Sequence, residues 1–241
     1  MFQARRVLRE AARCIWAGPS LASKWRRFHY APLSLWLRHP RRAALFVAVR
    51  SYTMLPYARL SHLYALAEQC NREYISGAFV ECGSYRGGSA AALAVAALNR
   101  PVHLFDSFQG CPAPTEFDVS YSGRRGQLGE ACADETHVRR ILLRLGVSAC
   151  VHPGWFSETL GMIGPTIGPI ALLHIDCDWY ASVRECLSSL WDSVSHGGFI
   201  VLDDFFYWKG ANRATVEFFS ERGLPMRIVQ TDRSGGWLRK D

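Results

Sequence analysis

The 241-residue chain predicts an α/β fold. The expected architecture is a mostly parallel sheet covered by helices on both faces, with an antiparallel C-terminal strand and a helical N-terminal arm. Three observations predict it. From Gly77 onward, short apolar runs alternate with helical patterns, the rhythm of strand-helix-strand units. Several of those runs end in a glycine or an aspartate, as strands do at a ligand edge. The last sixteen residues break the rhythm with a turn-rich stretch between two short apolar runs, which is a hairpin signal.

The elements follow in order. Residues 1–16 place Val7, Leu8, Ala11 and Ile15 at helical spacing opposite Arg5, Arg6, Arg9 and Arg13, an amphipathic helix that Gly18-Pro19-Ser20 breaks. Residues 56–73 form a second helix with Leu60, Leu63, Leu66 and Ala67 on one face. Ala78–Cys82 is a strand and Ser89–Leu98 an alanine-rich helix. Val102–Phe105 is a strand ending at Asp106, and residues 107–131 form a long loop. Asp134 is placed to cap a helix running to about Leu145. Strands are expected at 148–152, 170–175 and 198–202, with helices at about 180–194 and 212–222. Met226–Val229 and Trp237–Arg239 flank the turn Asp232–Gly236.

Composition sets limits. A hydrophobic fraction of 49% and a charged fraction of 20% exclude a largely disordered chain. The longest apolar stretch, Leu33 to Val49, is interrupted by Arg38-His39-Pro40-Arg41-Arg42, so no spanning helix is expected. The N-terminus has no apolar signal core. Eight cysteines show no C-x-x-C pair and no histidine at zinc spacing. Free thiols in a reducing, cytoplasmic setting are expected. The net charge of +7 is uneven: residues 1–50 carry +10 and the remainder −3. The arm, with Trp16, Trp25, Phe28, Tyr30 and Trp36 among its arginines, suits weak contact with an anionic membrane better than nucleic acid. A plain packing arm, shielding the site or an oligomer contact, is the alternative.

Three constellations carry chemistry. Glu81-Cys82-Gly83-Ser84-Tyr85-Arg86-Gly87-Gly88-Ser89 joins the first strand to its helix, where glycines let backbone amides approach a ligand. Its G-x-x-x-G-G spacing is not that of dinucleotide enzymes. Asp106 ends the second strand, 23 residues past Gly83. With the glycine loop it is read as the acceptor for ribose hydroxyls, against a plain loop cap. Asp176 and Asp203 end two apolar strands and lie 27 residues apart, one crossover. With Asp204 they would gather at one sheet edge. Such all-oxygen ligands suit Mg²⁺, Mn²⁺ or Ca²⁺ rather than zinc. Asp178 is expected to cap the helix near Tyr180, and His174 to be a hydrogen-bonded core histidine.

These motifs resemble the macrocin O-methyltransferase family, enzymes that use S-adenosylmethionine to methylate sugar hydroxyls. The resemblance runs from Ser51-Tyr52-Thr53-Met54 through the glycine loop and Leu104-Phe105-Asp106-Ser107-Phe108. It continues through Pro153-Gly154-Trp155-Phe156-Ser157-Glu158, His174-Ile175-Asp176-Cys177-Asp178-Trp179-Tyr180 and Gly197–Phe205. It implies a Rossmann-like, class I methyltransferase fold with seven strands over residues 51–241, apart from a basic arm at 1–50. It implies donor contacts at Thr53, Met54, Glu81, Gly83, Tyr85, Ser89, Asp106, Ser107, Gly154 and Trp155. Asp176, Asp203 and Asp204 would bind Mg²⁺ or Mn²⁺, with Asp176 also the base that deprotonates a small-molecule or glycan acceptor. Cys177 and Trp179 depart from the family's usual small residue and leucine, and Trp179 adds bulk near the acceptor side.

Two other readings are carried forward. Asp176-Cys177-Asp178 is a D-x-D, the metal-binding pattern of glycosyltransferases. The basic arm alternatively suggests a membrane-associated binding module with an inactive α/β domain.

Overall fold

The structure, a computed structural model, describes residues 2–16 and 31–241. Its centre is a seven-stranded sheet in the order β3-β2-β1-β4-β5-β7-β6. The strands are β1 (Ala78–Cys82), β2 (Val102–Asp106), β3 (Cys150–Pro153), β4 (Ile170–Ile175), β5 (Val194–Leu202), β6 (Val229–Gln230) and β7 (Gly236–Arg239). The first five are mutually parallel, and β7 runs antiparallel between β5 and β6. The C-terminal hairpin therefore forms as expected, but its outer strand is two residues long.

Each face of the sheet has its own core. On one side lie α1 (Phe2–Trp16), the short α2 (Leu33–Arg38), α3 (Pro40–Val49), α4 (Tyr57–Arg72), α5 (Gly88–Ala96) and α6 (Glu135–Leu145). On the other lie α7 (Phe156–Ile167), α8 (Tyr180–Leu190) and α9 (Lys209–Glu221). β1 and β4 are buried along their whole length, as strands covered on both faces must be. Asp134 caps α6, accepting from the Thr136 amide at 2.8 Å, and Gly146 ends that helix in the left-handed conformation.

Two helices depart from the sequence expectation. The apolar stretch is interrupted at Arg38–Arg42 as read, but by a change of helix: α2 ends at Arg38 and Pro40 opens α3 from the first-turn position, where its missing N–H costs nothing. Residues 43–49 of α3 are all buried, so the segment before residue 50 contributes to the main core. α7 was not expected at all, because Gly161, Gly164 and Pro165 interrupt its pattern. Gly164 lies against the Leu190 side chain of α8, where a Cβ would sit 3.4 Å from Cδ2.

The apolar stripe of α1 also finds its place. Val7 and Ala11 are buried against α3 and α6, and the Cys14 thiol donates to the Ala48 carbonyl at 3.5 Å. Val7 and Ala11 thus pack inward, while Leu8 of the same stripe is 46% exposed. Trp25, Phe28 and Tyr30, named with the arm, lie outside the described residues. Among the described residues, no helix is long and apolar enough to cross a membrane.

Candidate active site

The strand order reverses between β1 and β4, each of which sends its next connection to the opposite side of the sheet. Ligands of open α/β sheets bind in the crevice at such a reversal. The crevice here is built by close backbone approach. Gly83 has φ +91°, and a Cβ on it would lie 1.8 Å from the Asp176 carbonyl oxygen, so only glycine fits. The amide of Asp176 donates to the Cys82 carbonyl at 2.9 Å and that of Asp203 to Ile175 at 3.0 Å. These bonds extend the parallel ladders by one residue and set Asp176 and Asp203 at the same edge.

A cavity opens at this edge. Of the expected donor residues, Met54, Gly83, Tyr85, Asp106, Ser107 and Trp155 line it, joined by Asp176 and Asp178. Thr53, Glu81, Ser89 and Gly154 do not line it. Thr53 packs on Gly88, where a Cβ would lie 2.7 Å from its own Cβ. Ser89 is buried in the first turn of α5. Gly154 donates its amide to the Asp106 carbonyl at 3.0 Å.

The Asp106 carboxylate is held firmly. Its Oδ2 accepts from the amides of Ser84 at 2.7 Å and Tyr85 at 2.8 Å, and Oδ1 from Phe108 at 2.7 Å. Burial raises its pKa, while those amides pull the other way. The carboxylate thus ties the glycine loop to the end of β2.

The aspartate cluster forms as well. Asp176, Asp203 and Asp204 each offer an oxygen within 4.8 Å of the others. Burial and then the Asp203 charge raise Asp176 well above the carboxylate range. Burial and the neighbouring Asp178, Asp203 and Asp176 do the same for Asp204. Asp204 Oδ2 is buried without a hydrogen-bond partner among the described residues. An all-oxygen donor set, an orphaned buried oxygen and mutual repulsion are what a hard dication would satisfy. The residues present fit Mg²⁺ or Mn²⁺.

Other residues take parts in this site that the sequence did not assign them. Arg59 on α4 donates to the Asp203 carboxylate, and its Nε lies 3.2 Å from Asp232 Oδ2. Burial opposes its charge, but Asp203, Asp176, Asp204 and Asp232 outweigh that and raise its pKa. Glu81, expected at the donor, instead accepts from His174 Nδ1 at 2.9 Å in the interior. The His174 Nε2 faces Asp203 Oδ1 at 4.0 Å. Burial works against the imidazolium, yet Asp203 and Glu81 raise its pKa to about 10. His174 is therefore a hydrogen-bonded core residue, as expected, and it backs the aspartate cluster.

Asp178 does not cap α8. It adopts φ 58°, and its Oδ1 accepts from Trp208 Nε1 at 2.7 Å. The amide of Tyr180 is taken by Asp118 Oδ1 at 2.8 Å instead. Asp118 is buried, and its Oδ2 accepts from the amide and hydroxyl of Thr115. The loop 107–131 is thereby clamped to the start of α8. Trp179 secures the same loop: it donates to the Pro112 carbonyl at 2.9 Å and packs edge-on against Trp208. Its bulk supports the wall from behind and is buried.

Next to the first cavity lies a second of about 280 Å³, lined by Arg59, Arg124, Asp204, Tyr207, Trp208 and Ser234. Met54, Glu130, Ala131 and Asp178 border both.

Comparison with known proteins decides the family. The macrocin-O-methyltransferase (TylF) family model matches residues 36–240. The chain belongs to this family. It is 29% identical to mycinamicin III 3''-O-methyltransferase of Micromonospora griseorubida, over 79% of each chain. It is 31% identical to 8-demethyl-8-(2,3-dimethoxy-alpha-L-rhamnosyl)-tetracenomycin-C 4'-O-methyltransferase of Streptomyces olivaceus, covering 78% of this chain and 76% of the relative. The structure of the O-methyltransferase NovP superposes with a TM-score of 0.68 at 27% identity, covering 78% of this chain and 82% of that one. The chain is thus an O-methyltransferase of the class I, S-adenosylmethionine-dependent fold. The family match removes the D-x-D glycosyltransferase reading. The inactive binding module falls with it.

Proposed function

We propose that this O-methyltransferase transfers a methyl group from S-adenosylmethionine to a hydroxyl of a sugar or glycosylated small molecule, with Mg²⁺ or Mn²⁺ held by Asp176, Asp203 and Asp204. The observation that carries this is the three-aspartate cluster at the strand edge beside the donor cavity. Relatives that act on glycosides support the acceptor class.

Bound S-adenosylmethionine supplies a sulfonium-activated methyl group, and a dication would stabilise the charge that develops on an acceptor hydroxyl. The chain's own part is alignment and proton removal. Asp106 fixes the glycine loop around the donor through three amide bonds, and Met54 closes the junction of the two cavities. Alignment of this kind accounts for much of the acceleration of a bimolecular displacement. The sequence singled out Asp176 as both ligand and base. Asp178 is better placed to take the proton, because it borders donor and acceptor cavities alike, whereas Asp176 lines the donor cavity only. Trp208 and Cys111 hold the Asp178 carboxylate in place.

The test is a screen of glycosyl acceptors with labelled S-adenosylmethionine, with and without chelator. Label transfer that chelator stops and Mg²⁺ restores is the expected result. Asp178→Asn should then lower kcat while dication binding survives, whereas Asp176→Asn should lose the dication. Transfer untouched by chelator would refute the metal assignment.

A further inference from the structure

Val7 and Ala11 seat α1 in the core, and its arginines collect on another side. With the end of α6 they line a cavity of about 360 Å³, bounded by Arg5, Arg6, Arg9, Glu10, Arg13 and Arg144. None of these residues lines the donor or acceptor cavity. Among the described residues, five guanidiniums and a single carboxylate line the α1 cavity, and that carboxylate is already engaged. Glu10 Oε1 accepts from Arg13 at 2.8 Å, and its Oε2 lies 3.9 Å from Arg144.

Part of this array is fixed by the protein itself. Arg144 donates to the Tyr52 hydroxyl at 2.9 Å and Arg6 to the Leu143 carbonyl at 3.2 Å. The Arg6 side chain also lies over Gly146, where a Cβ would come 2.8 Å from its Cδ. Arg5 and Arg9 are exposed and have no carboxylate partner among the described residues. Converging like charges repel one another, and an anion seated among them relieves that repulsion. The guanidinium fork matches the oxygens of phosphate in a bidentate way. Five cations against one acid call for several negative charges on the ligand, more than a single carboxylate offers.

We propose that the cavity between α1 and α6 is a binding site for an oligophosphate anion, with Arg6, Arg13 and Arg144 as its fixed wall and Arg5 and Arg9 as the arms that close on the ligand. The phosphates come either from a soluble oligophosphate or from the headgroups of anionic lipids, and the chemistry of recognition is the same.

The test uses the full chain in buffer free of divalent ions, so that no anion is drawn to the aspartate cluster. Calorimetric titrations with orthophosphate, pyrophosphate and tripolyphosphate form one arm. Co-sedimentation with phosphatidylglycerol-containing and pure phosphatidylcholine vesicles forms the other. Affinity should rise with phosphate number and fall with added salt. The Arg5→Gln, Arg9→Gln double variant, whose exposed sites leave the melting temperature unchanged, should bind about tenfold more weakly. Binding only to the anionic vesicles, lost in the variant, also supports the site and assigns the phosphates to lipid. Equal binding by wild type and variant, or no binding in either arm, would overturn the proposal.

Discussion

Replacing Arg59 with methionine removes the guanidinium that Asp203 and Asp232 share. The Arg59 side chain is 18% exposed and that of Asp203 only 5%, so the pair lies mostly out of water. Deleting one partner of a buried pair costs about 3–5 kcal/mol, because the other charge is left uncompensated. Residual solvent contact at Arg59 places the expected loss near the low end, at ~3 kcal/mol. For a chain of this size that lowers Tm by roughly 6–12 °C. The charge balance then gives a sharper prediction. Arg59 offsets part of the negative charge of the three aspartates, so without it the cluster should hold a dication more tightly. Mg²⁺ at ten times its Kd stabilises a protein by about 1.4 kcal/mol. At one fixed Mg²⁺ concentration, Arg59→Met should gain more Tm than the wild type does. The assay is thermal melting of both proteins in chelator and across a Mg²⁺ series. A variant that melts within a degree of wild type in chelator would refute the reasoning. So would equal Mg²⁺ stabilisation of the two proteins.

Other predictions follow from the same geometry. Asp106→Asn must turn an NH₂ toward a backbone amide in either orientation, losing charge-assisted bonds worth about 1.5–3 kcal/mol. Calorimetry should show S-adenosylmethionine binding weakened roughly 10- to 100-fold, and an unchanged Kd would contradict the role given to this carboxylate. Gly126→Ala places a Cβ 2.4 Å from Trp179 Cη2, an overpacking cost of ~1–3 kcal/mol. Trp179→Phe should relieve that clash, so the double variant should be more stable than the two separate losses imply. Simple additivity in melting experiments would show that the loop does not bear on Trp179. His103 Nδ1 and His152 Nε2 lie 3.0 Å apart. Burial lowers both pKa values, and for His103 the neighbouring imidazole adds to it. The unfolded chain therefore takes up protons first, and this share of stability is complete above about pH 6.5 and lost as the pH falls below it. His152→Gln should flatten the fall of Tm between neutral and mildly acidic pH, and an identical slope would show that the pair does not contribute.

The sheet was legible because buried strands write themselves as apolar runs. The same runs end at Asp106, Asp176 and Asp203, so the reactive edge could be read with them. Spacing by one crossover was enough to bring Asp176 to Asp203. What escaped depended on partners distant in sequence. Arg59 reaches Asp203 across 144 positions, and nothing around it in α4 marks it out from other helical arginines. Asp118 caps a helix 62 positions away from within a loop whose residues carry no periodic pattern. Asp178 looks like a cap by its place before α8, but its left-handed backbone turns the carboxylate toward Trp208. Pro40 interrupts the apolar stretch Leu33–Val49 yet opens a helix, and the Gly161–Pro165 stretch, where no helix was expected, is carried inside one that packs closely on α8.

The most direct measurement is Mn²⁺ titration of the metal-free protein followed by electron paramagnetic resonance, in wild type and Asp204→Asn. One Mn²⁺ should leave the free-ion signal per wild-type chain, Mg²⁺ should displace it, and the variant should bind it far more weakly. A wild-type chain that leaves the free Mn²⁺ signal intact, or a variant that binds as well as wild type, would contradict a dication held by these aspartates.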